Sequence, residues 1–117
     1  MFKVIIAGSR EFNNYPFLKE KLDFLLKNVT EEIEIVSGTA RGADTLGERY
    51  ARENNFNVKL FPADWAKYNG AAGYIRNEEM AKYANACVVF WMNNSKGTKH
   101  MIDLAQKYNI KLRIYKC

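Results

Sequence analysis

The chain has 117 residues, of which 48% are hydrophobic and 26% charged, and 18 Lys and Arg against 13 Asp and Glu leave a net charge of +5. That length and apolar content fit one compact domain, 1–117, able to bury well over half of its unfolded surface, and no composition shift or repeat marks a linker or solenoid. Two cysteines and one histidine, with no carboxylate cluster at ligand spacing, exclude a disulfide framework and imply neither a metal nor a cofactor.

Met1 to Ile6 lacks the apolar region and cleavage site of a signal peptide, and no run approaches the roughly 20 apolar residues of a membrane span, so a cytoplasmic location is expected. Phe2 to Ala7 is instead a β-branched strand pattern, 2–7, which ends in Gly8-Ser9-Arg10 before an amphipathic helix near 15–28. A second strand near 33–36 runs into Ser37-Gly38-Thr39-Ala40-Arg41-Gly42-Ala43-Asp44 and a helix near 42–54. A third strand near 57–61 leads into a segment with Trp65 and Tyr68, followed by a helix near 72–84 that carries Arg76 and Asn77. The fourth strand, near 86–91, ends in Met92-Asn93-Asn94-Ser95-Lys96-Gly97-Thr98 and a helix near 97–108, and a last strand lies near 111–115.

This β-α alternation predicts an α/β fold, a single Rossmann-like three-layer domain with a five-stranded, mostly parallel sheet. The strands read as continuous apolar runs, as expected when helices cover both faces. We favour the order 3-2-1-4-5, with the flavodoxin-like order as the alternative. In the favoured order the first and fourth strands meet where strand order reverses, so Gly8-Ser9-Arg10 lies beside Ser95-Lys96-Gly97-Thr98.

Glycines and hydroxyls at a strand-to-helix turn suit an anion, because the free N–H groups of the first helical turn point into that turn. The Ser37 to Asp44 stretch reads equally as a plain turn in which Asp44 complements the helix dipole. Repetition of the composition at three strand ends favours binding. The basic residues are otherwise dispersed, with Arg10, Arg41, Arg76 and Lys96 in or beside the loops, so a compact phosphorylated ligand is expected and nucleic acid is not. Trp65 and Tyr68 either stack on a flat base or pack in the interior, and Arg76 is placed at a helix start, ready for a phosphate or ribose. His100 reads as a solvated helix residue in preference to one facing the crevice.

Gly8-Ser9-Arg10 with Phe12, the Ser37 to Asp44 turn, Trp65 with Ala72-Gly73, Arg76-Asn77-x-x-Met80 and Ser95-x-Gly97-Thr98 together resemble the YspA-related branch of the SLOG superfamily. The resemblance implies binding of nucleotides or nucleotide-derived molecules, with ligand contacts from Gly8, Ser9, Arg10, Ser37, Gly38, Arg41, Gly42, Asp44, Trp65, Arg76, Asn77, Ser95, Gly97 and Thr98. It also implies a homo-oligomer. The related Lonely Guy phosphoribohydrolases use an arginine and a glutamate for N-glycosidic cleavage. Here Arg76 and Met80 keep the first motif, but Met101 stands where the glutamate is expected and Asn77 replaces a lysine. Methionine has no acid to offer, so the expectation is a module that binds a nucleotide-derived molecule without turnover. For a phage-encoded member, sequestering a host immune signal would be its use. The alternative is a phosphoribohydrolase-like enzyme in which Arg76 acts with Asp44 or Glu79.

Overall fold

A computed structural model describes residues 1–117. In chain order the elements are β1 (Phe2–Gly8), α1 (Tyr15–Leu26), β2 (Ile33–Ser37), α2 (Ala43–Glu53), β3 (Asn57–Leu60), α3 (Trp65–Tyr68), a 3-10 turn (Asn69–Ala71), α4 (Ala72–Tyr83), β4 (Ala86–Trp91), α5 (Lys96–Lys107) and β5 (Lys111–Lys116). The strands are ordered β3-β2-β1-β4-β5. Every pairing is parallel, so the sheet is wholly rather than mostly parallel. No helix is long and apolar enough to cross a membrane.

Helix ends follow local chemistry. The Asn14 side chain accepts the Phe17 N–H at 3.2 Å just ahead of a helix with Pro16 in its first turn, and Asp64 accepts the Lys67 N–H at 3.1 Å to start α3. Alternation along the strands then divides the interior into two layers. Val4, Ile6, Ile35, Val88 and Phe90 pack under α1 and α2, together with Leu18, Leu22 and Tyr50. Ile5, Ala7, Val36, Cys87 and Val89 pack on the other face, under Met80 of α4 and Met101 and Ile102 of α5. Two tyrosines latch α1 to α2, because the Tyr15 hydroxyl donates to Glu53 and the Tyr50 hydroxyl donates to Asp23, each at 2.7 Å.

The outer strands depart from the expectation of helices over both faces. All four residues of β3 are exposed, and β5 is exposed at Lys111, Arg113, Ile114 and Lys116. Two helices per face span the central strands and leave the edges uncovered, because a helix is about 10 Å wide and strands are about 4.8 Å apart. Helix α3 and the 3-10 turn add to the expected elements, since four residues carry too little periodicity to announce a helix.

Helix α2 crosses β1 at its closest approach through Gly47, where a Cβ would lie 2.7 Å from the Ile6 Cβ. Helix propensity alone makes Gly47→Ala stabilising by about 1 kcal/mol. Overpacking against Ile6 opposes it by roughly 1–3 kcal/mol, so a net loss of stability is expected in urea unfolding. A gain in midpoint would show that the two elements separate freely at this point.

Candidate functional site

Three strand-end loops meet above β1 and β4, and Ser9 joins them. Its side chain is fully buried, with Oγ donating to the Met92 carbonyl and accepting the Met92 N–H, both at 2.8 Å. Its carbonyl accepts the Phe12 N–H at 3.1 Å and the Ala43 N–H at 3.4 Å. Gly42, at φ 78°, lies so close that a Cβ would fall 2.3 Å from the Ser9 carbonyl oxygen and 2.6 Å from that of Arg10. Only glycine fits that position. Gly8 is equally confined, 2.2 Å from the Phe90 carbonyl oxygen at its would-be Cβ.

Between these loops and α4 lies a crevice of about 90 Å³, lined by Gly8, Arg10, Ala40, Asp44, Arg76, Asn77, Ser95, Gly97 and Thr98 over a floor of Ala7, Met80 and Met101. It opens past Arg10, Ser95 and Gly97 into a hollow of about 310 Å³ that adds Glu11, Met92 and Asn93. Asp44 is buried at the start of α2, its Oδ2 accepting the Ala40 N–H at 3.2 Å. Burial pushes its carboxyl up to about 6, against the opposing pull of the Ala40 N–H and the Arg76 charge. Arg76 sits in the second turn of α4 rather than at its start, and donates to the Gly38 carbonyl and, at 2.9 Å, to Asn77 Oδ1. A Cβ at Gly38 would fall 2.9 Å from Asp44 Oδ2 and 3.0 Å from Arg76 Nη1, so a side chain there would displace both groups.

The arginines give the crevice its sign. Burial lowers the pKa of Arg76, the charge of Arg10 lowers it further, and Asp44 opposes both. No carboxylate lies within ion-pair distance of Arg10 or Arg76. At the far side, Ser95 caps α5 and accepts the Thr98 hydroxyl at 3.1 Å, while Asn77 Nδ2 reaches the Gly97 carbonyl at 3.4 Å.

Other expected residues stand outside the crevice. The Ser37 hydroxyl is spent on the scaffold, donating to Glu48 Oε2 of α2 at 2.6 Å and accepting the Thr39 N–H at 3.1 Å. Arg41 and Glu79 are exposed away from the lining, and Trp65 and Tyr68 are exposed rather than packed in the interior. Trp65 still borders the site, because the Gly73 Cβ position lies 3.7 Å from its Cη2 and 3.6 Å from Arg76 Nη2. His100 is half-buried rather than solvated, its ring 4.5 Å from that of Tyr74 and its Nδ1 3.2 Å from Asn77 Nδ2. Burial holds its pKa below the ordinary histidine value. Nothing in the residues around His100 signals this contact, whereas the i, i+3 spacing of Tyr74 and Asn77 marks a face of α4 able to receive a polar aromatic ring.

Comparison with known proteins agrees with this architecture. The model of the family described as "YspA, cpYpsA-related SLOG family" matches residues 2–68. The "Gene 61 protein" of Mycobacterium phage D29 is 36% identical over 116 residues, covering 94% of this chain and 93% of that protein. The X-ray structure of DNA processing protein A from Streptococcus pneumoniae shares the fold at a TM-score of 0.57 and 17% identity, covering 96% of this chain. This chain spans 58% of that structure's length. With strand order, loop glycines and the family match in agreement, the chain belongs to the YspA, cpYpsA-related SLOG family.

Proposed function

We propose that the crevice binds a nucleotide-derived small molecule and holds it without turnover. The observation that carries this reading is the pair of guanidiniums, Arg10 and Arg76, lining one crevice with no carboxylate within ion-pair distance of either; Arg76 is half-buried and offset only by the more distant charge of Asp44. A phosphate between them offsets both charges. The crevice takes a phosphate and one edge of a sugar, and with the adjoining hollow it reaches the few hundred Å³ of an ordinary ligand pocket. In this reading Asp44, in the crevice lining, accepts from a ribose hydroxyl, and the exposed Trp65 at its border stacks on a base.

Absence of turnover rests on the floor. Met101 is buried in the crevice lining, and Asp44 is the one carboxylate there. A carboxyl that titrates near 6 also suits proton transfer, so N-glycosidic cleavage through Asp44 and Arg76 is the second reading. Similarity to a phage protein supports extending the first reading to sequestration of a host immune signal. A homo-oligomer would pair through the exposed apolar residues of the β3 edge and the end of α3, Val58, Leu60 and Tyr68. Leu60→Glu is then expected to give a monomer in sedimentation, and an unchanged mass would remove that face.

Incubation with a cell extract, followed by mass spectrometry of what heat releases from the protein, separates binding from cleavage. Intact nucleotide recovered in stoichiometric amount supports capture, and accumulation of free base supports the enzyme. Arg10→Ala removes an exposed side chain with no partner in the fold, so affinity is expected to fall about ten- to hundredfold with no change in melting temperature. Unchanged affinity would remove Arg10 from the site.

Asp44 also predicts a pH dependence. Its folded pKa of about 6 lies above the unfolded value of 3.8, so the native state holds the extra proton between them. Stability therefore falls as pH rises from about 4 to 6, and above 6 the ionised carboxylate costs roughly 3 kcal/mol. Asp44→Asn is expected to flatten that slope and raise stability at pH 7 while weakening the ligand. Destabilisation at pH 7 would mean that the carboxylate holds the loop rather than the ligand.

A further inference from the structure

Arg76 reaches the crevice from α4 with its guanidinium held at two points. Nη1 donates to the Gly38 carbonyl, and Nε donates to Oδ1 of Asn77 at 2.9 Å. The second point leads away from the crevice. Asn77 is buried, and its Nδ2 lies 3.4 Å from the Gly97 carbonyl and 3.2 Å from Nδ1 of His100 on α5. His100 is not in the crevice lining, yet a single side chain separates it from the arginine.

Donor and acceptor chemistry fixes the state of every member of this chain. An arginine side chain only donates, so Asn77 turns its oxygen to Arg76; a carbonyl only accepts, so Asn77 turns its nitrogen to Gly97. The atom that faces His100 is therefore a donor, and Nδ1 has to be an acceptor. Only the neutral imidazole with its proton on Nε2 offers that atom. An imidazolium sets N–H against N–H. Turning the Asn77 amide over satisfies the imidazolium but breaks the bonds to Arg76 and Gly97 together. Tyr74, edge-on to the His100 ring at 4.5 Å between centres, limits how far the ring itself can retreat.

The charges around His100 leave it neutral. Glu78 of α4 and Asp103 of α5 favour its cation, but both are already engaged. Glu78 accepts the Tyr108 hydroxyl at 2.9 Å and lies 3.5 Å from Lys107, and Asp103 pairs with Lys99 at 2.8 Å. Lys96, one turn earlier on α5, is exposed. Burial outweighs the two carboxylates and keeps the imidazole uncharged to below the ordinary histidine range. Asp44, which titrates near 6, acts on Arg76 from within the crevice.

We propose that His100 is a positioning residue for Arg76, an inference that rests on the anion-binding reading of the crevice. Neutral His100 orients Asn77, Asn77 holds the guanidinium where it meets the anionic group of the ligand, and protonation of His100 releases that hold. The crevice then lets its ligand go on acidification.

His100 is the single histidine of the chain, so its ring signals in NMR are unambiguous. In the unmodified protein, nitrogen-resolved spectra are expected to show the Nε2–H tautomer at about pH 8, and the Arg76 Nε–H signal is expected to move with the titration of the ring as pH falls to about 5. His100→Asn places an amide oxygen where Nδ1 lies and does not titrate. In that variant the part of the Arg76 shift that follows His100 is expected to vanish, while the part due to Asp44 stays. Inorganic sulfate, a dianion throughout this range, then reads the crevice. Its affinity for the unmodified protein is expected to fall about three- to tenfold relative to the variant between those two pH values. An Nδ1–H tautomer at the higher pH, an Arg76 signal that runs the same course in both proteins, or a constant ratio of sulfate affinities overturns the proposal. If the Arg76 signal follows His100 while sulfate moves neither Arg10 nor Arg76, the positioning is upheld and the anion site itself falls.

Discussion

Everything above the sheet depends on the contact between Ser9 and its neighbours. A wholly buried hydroxyl ties the loop after β1 to the loop after β4, and the carbonyl of the same residue receives the first N–H of α2. Buried polar groups of this kind are costly when left unpaired and fix one geometry when satisfied. Here each partner of Ser9 is backbone, so a single buried Ser9 rotamer holds the three loops at one spacing. Gly42 and Gly8 serve the same end by letting backbone approach backbone where any Cβ would collide.

That scaffold creates an electrostatic tension at the crevice. Asp44 is carried into the interior by the first turn of α2, and Arg76 is brought over it by α4 from the opposite face of the sheet. Neither is fully compensated: burial raises the carboxyl, and burial with a second arginine depresses the guanidinium. Apolar groups in such places are often no less stabilising, and Met80 and Met101 directly beneath are apolar and buried. Charge retained above an apolar floor is what the proposed ligand would compensate, by supplying the missing partners.

Much of this arrangement is legible in the chain. The apolar runs at 2–7 and 86–91, the loop glycines and the Arg76 to Met80 spacing carry the order of the sheet and the members of the crevice, because a parallel sheet collects its strand ends on one edge. Ser9 and Ser37 look alike in sequence, each a serine at the end of a strand. One is an inter-loop tie and the other is held by Glu48 of the helix that follows it, a difference that depends on which element passes overhead. The surroundings of His100 are hidden for the same reason, since its partners Tyr74 and Asn77 lie on a helix that only the tertiary packing sets beside it.

The residues by themselves determined the alternation of elements, the position of the turns and the kinds of group the turns offer, because periodicity and glycine placement act over a few residues. Tertiary structure decided which of those groups stay free. It left Arg10 unpaired, spent Ser9 and Ser37 on the scaffold, buried Asp44, and exposed the edges of the sheet at β3 and β5. Burial and charge pairing depend on neighbours distant along the chain, and two helices per face cannot cover five strands.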